Sequence, residues 1–419
     1  MLVRKQIICS RLPLFFLGTV CALVNAEGQT RIVGHPGAPC PNVQYASIGA
    51  AVNAASAGDV IEICPGTYQE QLIVSKPLTL RGIEVNGVKR TLIQPALSDL
   101  AGLATEAVIT VMNTTGVKIQ DLVIDASHNT VNSCTPGLAG VHFFNASGAL
   151  DHSAIVGAHL ANPLGCSTNL PFGNGVGVQV DTSQSGTFHV SMNNNTIHSF
   201  TAYGVEVTGV GVTANISQNT ISGVGPSSGF FQFGIFIFNG AIAQINSNVI
   251  TEGLCGSLTT ADCINQRSEG ITLRAIGDGT VVDGNIIDNA QSGIFINGAN
   301  KLRVTNNQIG NIDGMSGMDI QATASGVFTN SLVSGNTISH VGPIDQDASN
   351  DEEGCGINEY SGTGTFSGNQ MSLNTVNDAY CGVAHVAADN VESGTYFNTL
   401  YTELNSDQYP SSYPPPTEP

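Results

Sequence analysis

The sequence predicts an all-β chain, wound as a single-stranded right-handed parallel coil of short strands, a solenoid, with an N-terminal capping helix. Three observations carry this. The 419 residues include 49 glycines, no tryptophan and only 11% charged side chains, a balance that tightly turned β-structure favours. A motif of Gly, apolar, any residue, apolar recurs along the chain, as in Gly177-Val178-Gln179-Val180, Gly204-Val205-Glu206-Val207, Gly234-Ile235-Phe236-Ile237, Gly270-Ile271-Thr272-Leu273 and Gly293-Ile294-Phe295-Ile296. A second motif, Asn, any residue, apolar, alternates with it from Asn195-Thr196-Ile197 to Asn398-Thr399-Leu400.

In chain order, residues 1–26 read as an export signal. Arg4, Lys5 and Arg11 precede the apolar run Leu12 to Val24, and Val24-Asn25-Ala26 offers small residues for cleavage. The run is too short to span a bilayer, so the mature chain is expected to be secreted or periplasmic, without membrane insertion. Residues 27–44 read as an N-terminal extension and 45–405 as the coil with its cap. Tyr45, Ile48, Ala51, Val52 and Ala55 have helical spacing, and strand-like segments follow at Asp59 to Cys64, Leu72 to Val74 and Leu78 to Leu80. In the repeats, Val and Ile point inward, and stacking turns one strand spacing apart pairs every strand with the turns above and below it. A strand-to-parallel-strand path favours the right-handed sense. The repeated Asn marks a bend, where its short amide tolerates left-handed geometry and hydrogen-bonds along the stack. The Pro-rich tail, 406–419, reads as disordered or linker.

Composition also limits function. Thirteen basic against 32 acidic side chains leave no cationic stripe for a phosphate backbone, so nucleic-acid binding is excluded. Eight cysteines follow the leader. Sequence does not determine their connectivity, but the simplest pairing is Cys40 with Cys64, Cys134 with Cys166, Cys255 with Cys263, and Cys355 with Cys381. Cys355 and Cys381 each precede the Gly of consecutive copies, which places them within disulfide reach when the turns stack.

The Gly and Asn columns resemble the right-handed parallel β-helix of the pectate lyase and pectin lyase superfamily. The Gly copies look like its first sheet and the Asn copies like the asparagine ladder between its second and third sheets. The opening Gly66-x-Tyr68-x-Glu70 agrees with pectin methylesterases. The resemblance implies a protein that meets a polysaccharide or glycan in a groove on the first sheet, and the chain is expected to be a monomer. Loops at Thr251 to Glu269 and Ser339 to Cys355 would wall that groove.

If the middle residue of each Gly copy faces outward, that sheet displays His142, Gln179, Glu206, Phe236, Thr272, Phe295, Asp319 and Asn358. The next outward column holds Asp181, Phe238, Arg274, Asn297, Gln321 and Tyr360. Glu206, Glu269 and Asp319 are the candidate general acid and base for a glycosidic bond, provided they lie within about 10 Å of one another. Arg274 would neutralise a uronate or assist proton removal. Phe236, Phe238 and Phe295 are expected to offer apolar faces to sugar rings, with Asp181, Asn297, Arg267, Gln321 and Tyr360 at the polar edges. His142 reads as a surface or core histidine. Asp345, Asp347 and Asp351 group hard oxygen ligands in one loop and define a possible Ca2+ site, weighed against a solvated acidic loop. The expected function is polysaccharide processing, by a glycoside hydrolase or lyase, or glycan binding. The alternative is a non-catalytic extracellular binding or scaffold protein. Polyanions fit poorly with so acidic a chain, whereas neutral or weakly charged glycans fit better.

Overall fold

The structure is a computed structural model. It describes residues 6–9, 21–24, 28–38, 40–83, 91–95, 105–129, 137–160, 174–225, 231–253, 268–322, 326–343, 354–360, 364–379, 381–386, 395–397 and 400–403. Among these residues, three long sheets of 11, 13 and 12 parallel strands run side by side, and successive strands of the chain fall in different sheets. The path is therefore a parallel β-helix, as the repeat predicts. The Gly copies form the first sheet and the Asn copies start strands of the third. Gln6–Cys9 and Cys21–Val24, within the expected leader, pair antiparallel in a separate two-stranded sheet. No helix of the described residues is long and apolar enough to cross a membrane.

The Gly column has a steric cause. A Cβ on Gly204 would sit 2.5 Å from Ile221 Cγ2 and 2.6 Å from the Gly234 carbonyl oxygen. The same clash recurs at Gly234 and Gly270, so glycine stacks on glycine along the first sheet from Gly140 onward. The Asn column has a hydrogen-bonding cause. Asn195, Asn219, Asn248, Asn285, Asn307, Asn336 and Asn374 each pass a side-chain N–H to the next Oδ1 at 2.9–3.0 Å, ending at Asn374. Left-handed geometry, however, belongs to the residue before each of them: Asn194, Gln218, Ser247 and Asn306 have φ of 56–58°. The ladder amide is thereby free to lie along the stack while its predecessor makes the bend.

The end cap begins earlier than expected. Thr30–Val33, in the segment read as an extension, pairs with Val60–Ile63 and starts the second sheet. The helix spans Ile48–Ala54, with Ile48, Ala51 and Val52 buried and Ser47 accepting from the Ala50 N–H. Charges hold both of its ends. The Glu70 carboxylate accepts from the Ile48 and Gly49 N–H groups, each at 2.8 Å, and Lys76 Nζ donates to the Val52, Asn53 and Ala55 carbonyls. This gives the Gly66-x-Tyr68-x-Glu70 segment a structural role, since the Tyr68 hydroxyl also donates to the Cys64 carbonyl. Glu70→Ala leaves two helix N–H groups without acceptors and is expected to cost about 2 kcal/mol. Urea unfolding together with hydrogen exchange in the first turns measures this, and an unchanged midpoint would contradict the clamp.

Cys40 and Cys64 form a disulfide with Cα atoms 6.0 Å apart. Cys355 is also disulfide-bonded, and backbone register sets Cys381 opposite it on the adjacent strand. Cys134, Cys166, Cys255 and Cys263 lie outside the described residues.

The three sheets differ in what lies on their outer faces. Second-sheet strands alternate buried and partly exposed residues, as in Val212–Ser217, and third-sheet strands such as Thr220–Ser222 do likewise. First-sheet strands Tyr203–Thr208, Phe233–Phe238, Glu269–Arg274 and Ser292–Asn297 are buried at all but their last residue. Their outward side chains are covered as well as their inward ones.

Candidate functional site

The site develops on that covered outer face. Register aligns Gln179, Glu206, Phe236, Thr272, Phe295, Asp319 and Asn358 on successive strands, which is the expected outward column. The column does not gather the three expected carboxylates. Glu206 and Asp319 are four strand steps apart, about 19 Å, so they cannot share one glycosidic bond. Asp319 is held elsewhere, accepting from Gln321 Nε2 at 2.9 Å and Asn358 Nδ2 at 3.2 Å. Glu269 is fully buried and accepts from the Thr272 hydroxyl.

The expected aromatic platform is also altered. Phe236 is 2% exposed and Phe295 3%, so neither offers a free ring face. Phe236 is covered by aromatic neighbours, with Tyr203 at 5.0 Å, Phe233 at 5.8 Å and Phe238 at 5.8 Å between ring centroids. Phe295 lies beneath the Arg274 guanidinium, 4.9 Å from its centroid. Phe238 is partly buried and remains partly accessible. Tyr203, Phe233, Phe236 and Phe238, with Ala107, Ala139 and Val176, form a second apolar cluster outside the coil.

Tyr203 precedes the motif glycine, where strand alternation does not indicate that a tyrosine reaches the outer face. Tyr203, Phe233 and Glu269 all occupy that position and align across three strands. The chain turns at the glycine, so side chains on both sides of the bend reach the same outer surface. Burial raises the Tyr203 hydroxyl far above its ordinary range, the Glu206 and Glu269 charges add to this, and Arg274 opposes it. Glu206, Glu269 and Arg274 thus share one electrostatic neighbourhood around Tyr203.

Glu206 is a strongly perturbed carboxyl of this group. It is 1% exposed, and its Oε2 has no hydrogen-bond partner. Burial pushes it up to about 8; the Asp181 charge adds to the shift, and a hydrogen bond with Gln179 opposes it. Asp181 follows two residues after Gln179, which is directly opposite Glu206 on the adjacent strand. This diagonal relation brings their Cβ atoms within about 7–8 Å. Asp181 in turn meets His142 Nε2 at 2.9 Å, which gives that histidine a place in the site. The arrangement holds one carboxyl neutral at physiological pH beside a second, more solvated carboxylate, the division of labour that acid–base chemistry uses.

Gln179 Oε1 and Asn358 Oδ1 are also buried without partners on this face. Asn297 and Gln321 follow Arg274 along the neighbouring outward column, and Tyr360 occupies the next register position. Arg267 and the acidic loop of Asp345, Asp347 and Asp351 lie outside the described residues, as do most of the two expected wall loops. Among the described residues, no three His, Cys, Asp or Glu side chains gather as a metal site.

A family described as right handed beta helix region matches residues 168–399, and one described as protein of unknown function (DUF1565) matches residues 35–280. No curated protein matches the chain. Among solved structures, the GH136 lacto-N-biosidase from Eubacterium ramulus is similar at a TM-score of 0.55 and 10% identity, covering 90% of this chain and 68% of that one. The Dettilon tailspike protein is similar at a TM-score of 0.52 and 16% identity, covering 81% of this chain. The match spans only 62% of the tailspike's length. At such identities the likeness is one of fold.

Proposed function

Since this chain belongs to the right-handed β-helix family, whose fold here carries a buried polar surface on its first sheet, we propose that it is an exported glycan-processing enzyme. Glu206 is the general acid and Asp181 the partner carboxylate. One observation carries the reading: a nearly fully buried carboxyl with an unpartnered oxygen stands beside a second carboxylate on the adjacent strand. Neutral Glu206 would donate its proton to the departing glycosidic oxygen. Asp181, oriented by His142, would then activate water or attack the sugar on the opposite face. The lacto-N-biosidase neighbour, by its name an enzyme of glycan cleavage, is consistent with this chemistry on the same fold.

A panel of plant, algal, bacterial and animal glycans, assayed for new reducing ends and for unsaturated uronates, tests the reading. Hydrolytic product lost in Glu206→Gln is the expected result. Unsaturated product would replace hydrolysis with elimination, and no product from any glycan would sink the enzyme.

A second reading keeps the glycan and drops the chemistry. It is favoured by Gln179 Oε1 and Asn358 Oδ1, orphan acceptors at opposite ends of the outward column that a bound ligand would satisfy without turnover. Glycan-array binding in the absence of product would establish that alternative.

A further inference from the structure

Arg274 stands apart from the other cations among the described residues. Arg31 pairs with Asp59, Arg81 with Glu62 and Lys301 with Asp278, while Lys76 caps the helix carbonyls. Lys118 and Arg303 project into water. Arg274 is partly buried on the first sheet, its Nε is enclosed without an acceptor, and no carboxylate among the described residues pairs with it. This happens in a chain with 32 acidic side chains, where a partner would be easy to supply. The Phe295 ring lies beneath the guanidinium but accepts no conventional hydrogen bond. A partly buried guanidinium with an enclosed, unfilled Nε donor is most stabilised by an oxyanion whose paired oxygens match its planar fork.

We propose that Arg274 is the centre of an anion subsite that takes one carboxylate or sulfate group of a glycan, an inference resting on the glycan reading of this surface. The subsite is separate from the acid pair. Thr272 is two strand steps from Glu206, and Arg274 lies two residues beyond it, so the oxyanion binds roughly 10 Å along the coil axis from Glu206. That offset assigns the charged group to a different sugar ring from the one being cleaved. The surrounding carboxylates limit the ligand to isolated charges. Asp181, Glu206, Glu269 and Asp319 all lie on this face, and a polyanion would meet them along its length.

The test uses the full chain on an array of neutral, uronate-bearing and sulfated oligosaccharides, with Arg274→Gln and Arg274→Lys beside the wild type. Binding to acidic glycans is expected to weaken about 10- to 100-fold in Arg274→Gln and to fall with added salt in the wild type. Arg274→Lys keeps the charge but loses the fork, and is expected to fall between the two. Comparison of the uronate and sulfate arms identifies the oxyanion. Thermal melting checks that each variant folds, and Arg274→Gln is expected to melt no lower than the wild type, because it removes an unsatisfied buried donor. Neutral glycans bound alone, or acidic binding unaffected by Arg274→Gln, would overturn the proposal. Acidic binding lost in Arg274→Gln without any turnover would sink the acid–base reading and leave this one standing. Turnover of neutral glycans that is indifferent to Arg274 would do the reverse.

Discussion

Asn248→Ala is expected to destabilise the coil by about 4 kcal/mol or more, among the largest effects of any single substitution outside the core. The side chain is fully buried in the middle of the ladder. Its Nδ2 donates to Asn285 Oδ1 at 2.9 Å and to the Ile216 carbonyl at 2.8 Å. Its Oδ1 accepts from both the backbone N–H and the Nδ2 of Asn219, each at 2.9 Å. Truncation therefore strands two donors and a carbonyl that no water reaches. Because stability in a solenoid passes between neighbouring turns, the loss is expected to split the unfolding transition at that point. Asn248→Ser supplies the control. Ser153 holds the equivalent place in an earlier turn, where its hydroxyl still accepts from the Leu122 N–H. The serine variant should accordingly lose less, and urea unfolding that ranked it with or below alanine would contradict the ladder account.

Glu206→Gln is expected to lower kcat by a factor of about 10² to 10⁴ on whatever glycan the wild type cleaves, since it removes the proton donor while keeping shape. The wild-type rate should fall on the alkaline side near pH 8, where the buried carboxyl at last ionises. The same group predicts a stability effect. Its folded value, about 8, lies above the ordinary 4.5. The folded protein thus holds a proton that the unfolded chain releases. Stability from this source is fully present below about 4.5, declines through the interval and is gone above about 8. The difference is on the order of a few kcal/mol. Urea unfolding at pH 5 and pH 9 should show that decline in the wild type and not in Glu206→Gln. Identical pH dependence in the two proteins would mean that Glu206 ionises freely.

Much of the architecture was legible because the same physical demand recurs in every turn. Glycine is required wherever a Cβ would strike the next turn's carbonyl, and asparagine wherever one buried amide must both donate along the stack and accept from it. Ile48, Ala51 and Val52 announced the cap in the same way, by helical spacing over a coil end that needed covering. The site was legible only in outline. Glu206, Asp181 and Arg274 stood in the right columns, but their grouping with Asp319 failed because register separates it by four strands. His142 stood in the outward column but read only as a surface or core histidine, because its contact with Asp181 comes from the next turn, and Tyr203 lies outside the repeat's outward columns.

The sequence by itself determined the coil, its sheets and which side chains point outward, because inward packing and tight corners impose a periodic constraint on residue type. Tertiary structure decided which outward side chains matter. Exposure of an outward phenylalanine depends on groups contributed by other turns, so Phe236 became a packed cluster member and Phe295 a ring beneath Arg274 rather than open platforms. The ionisation of Glu206 depends on water being excluded and on the charge of Asp181 one strand away. Neither condition is periodic or local, and both arise only when distant segments close over the same face.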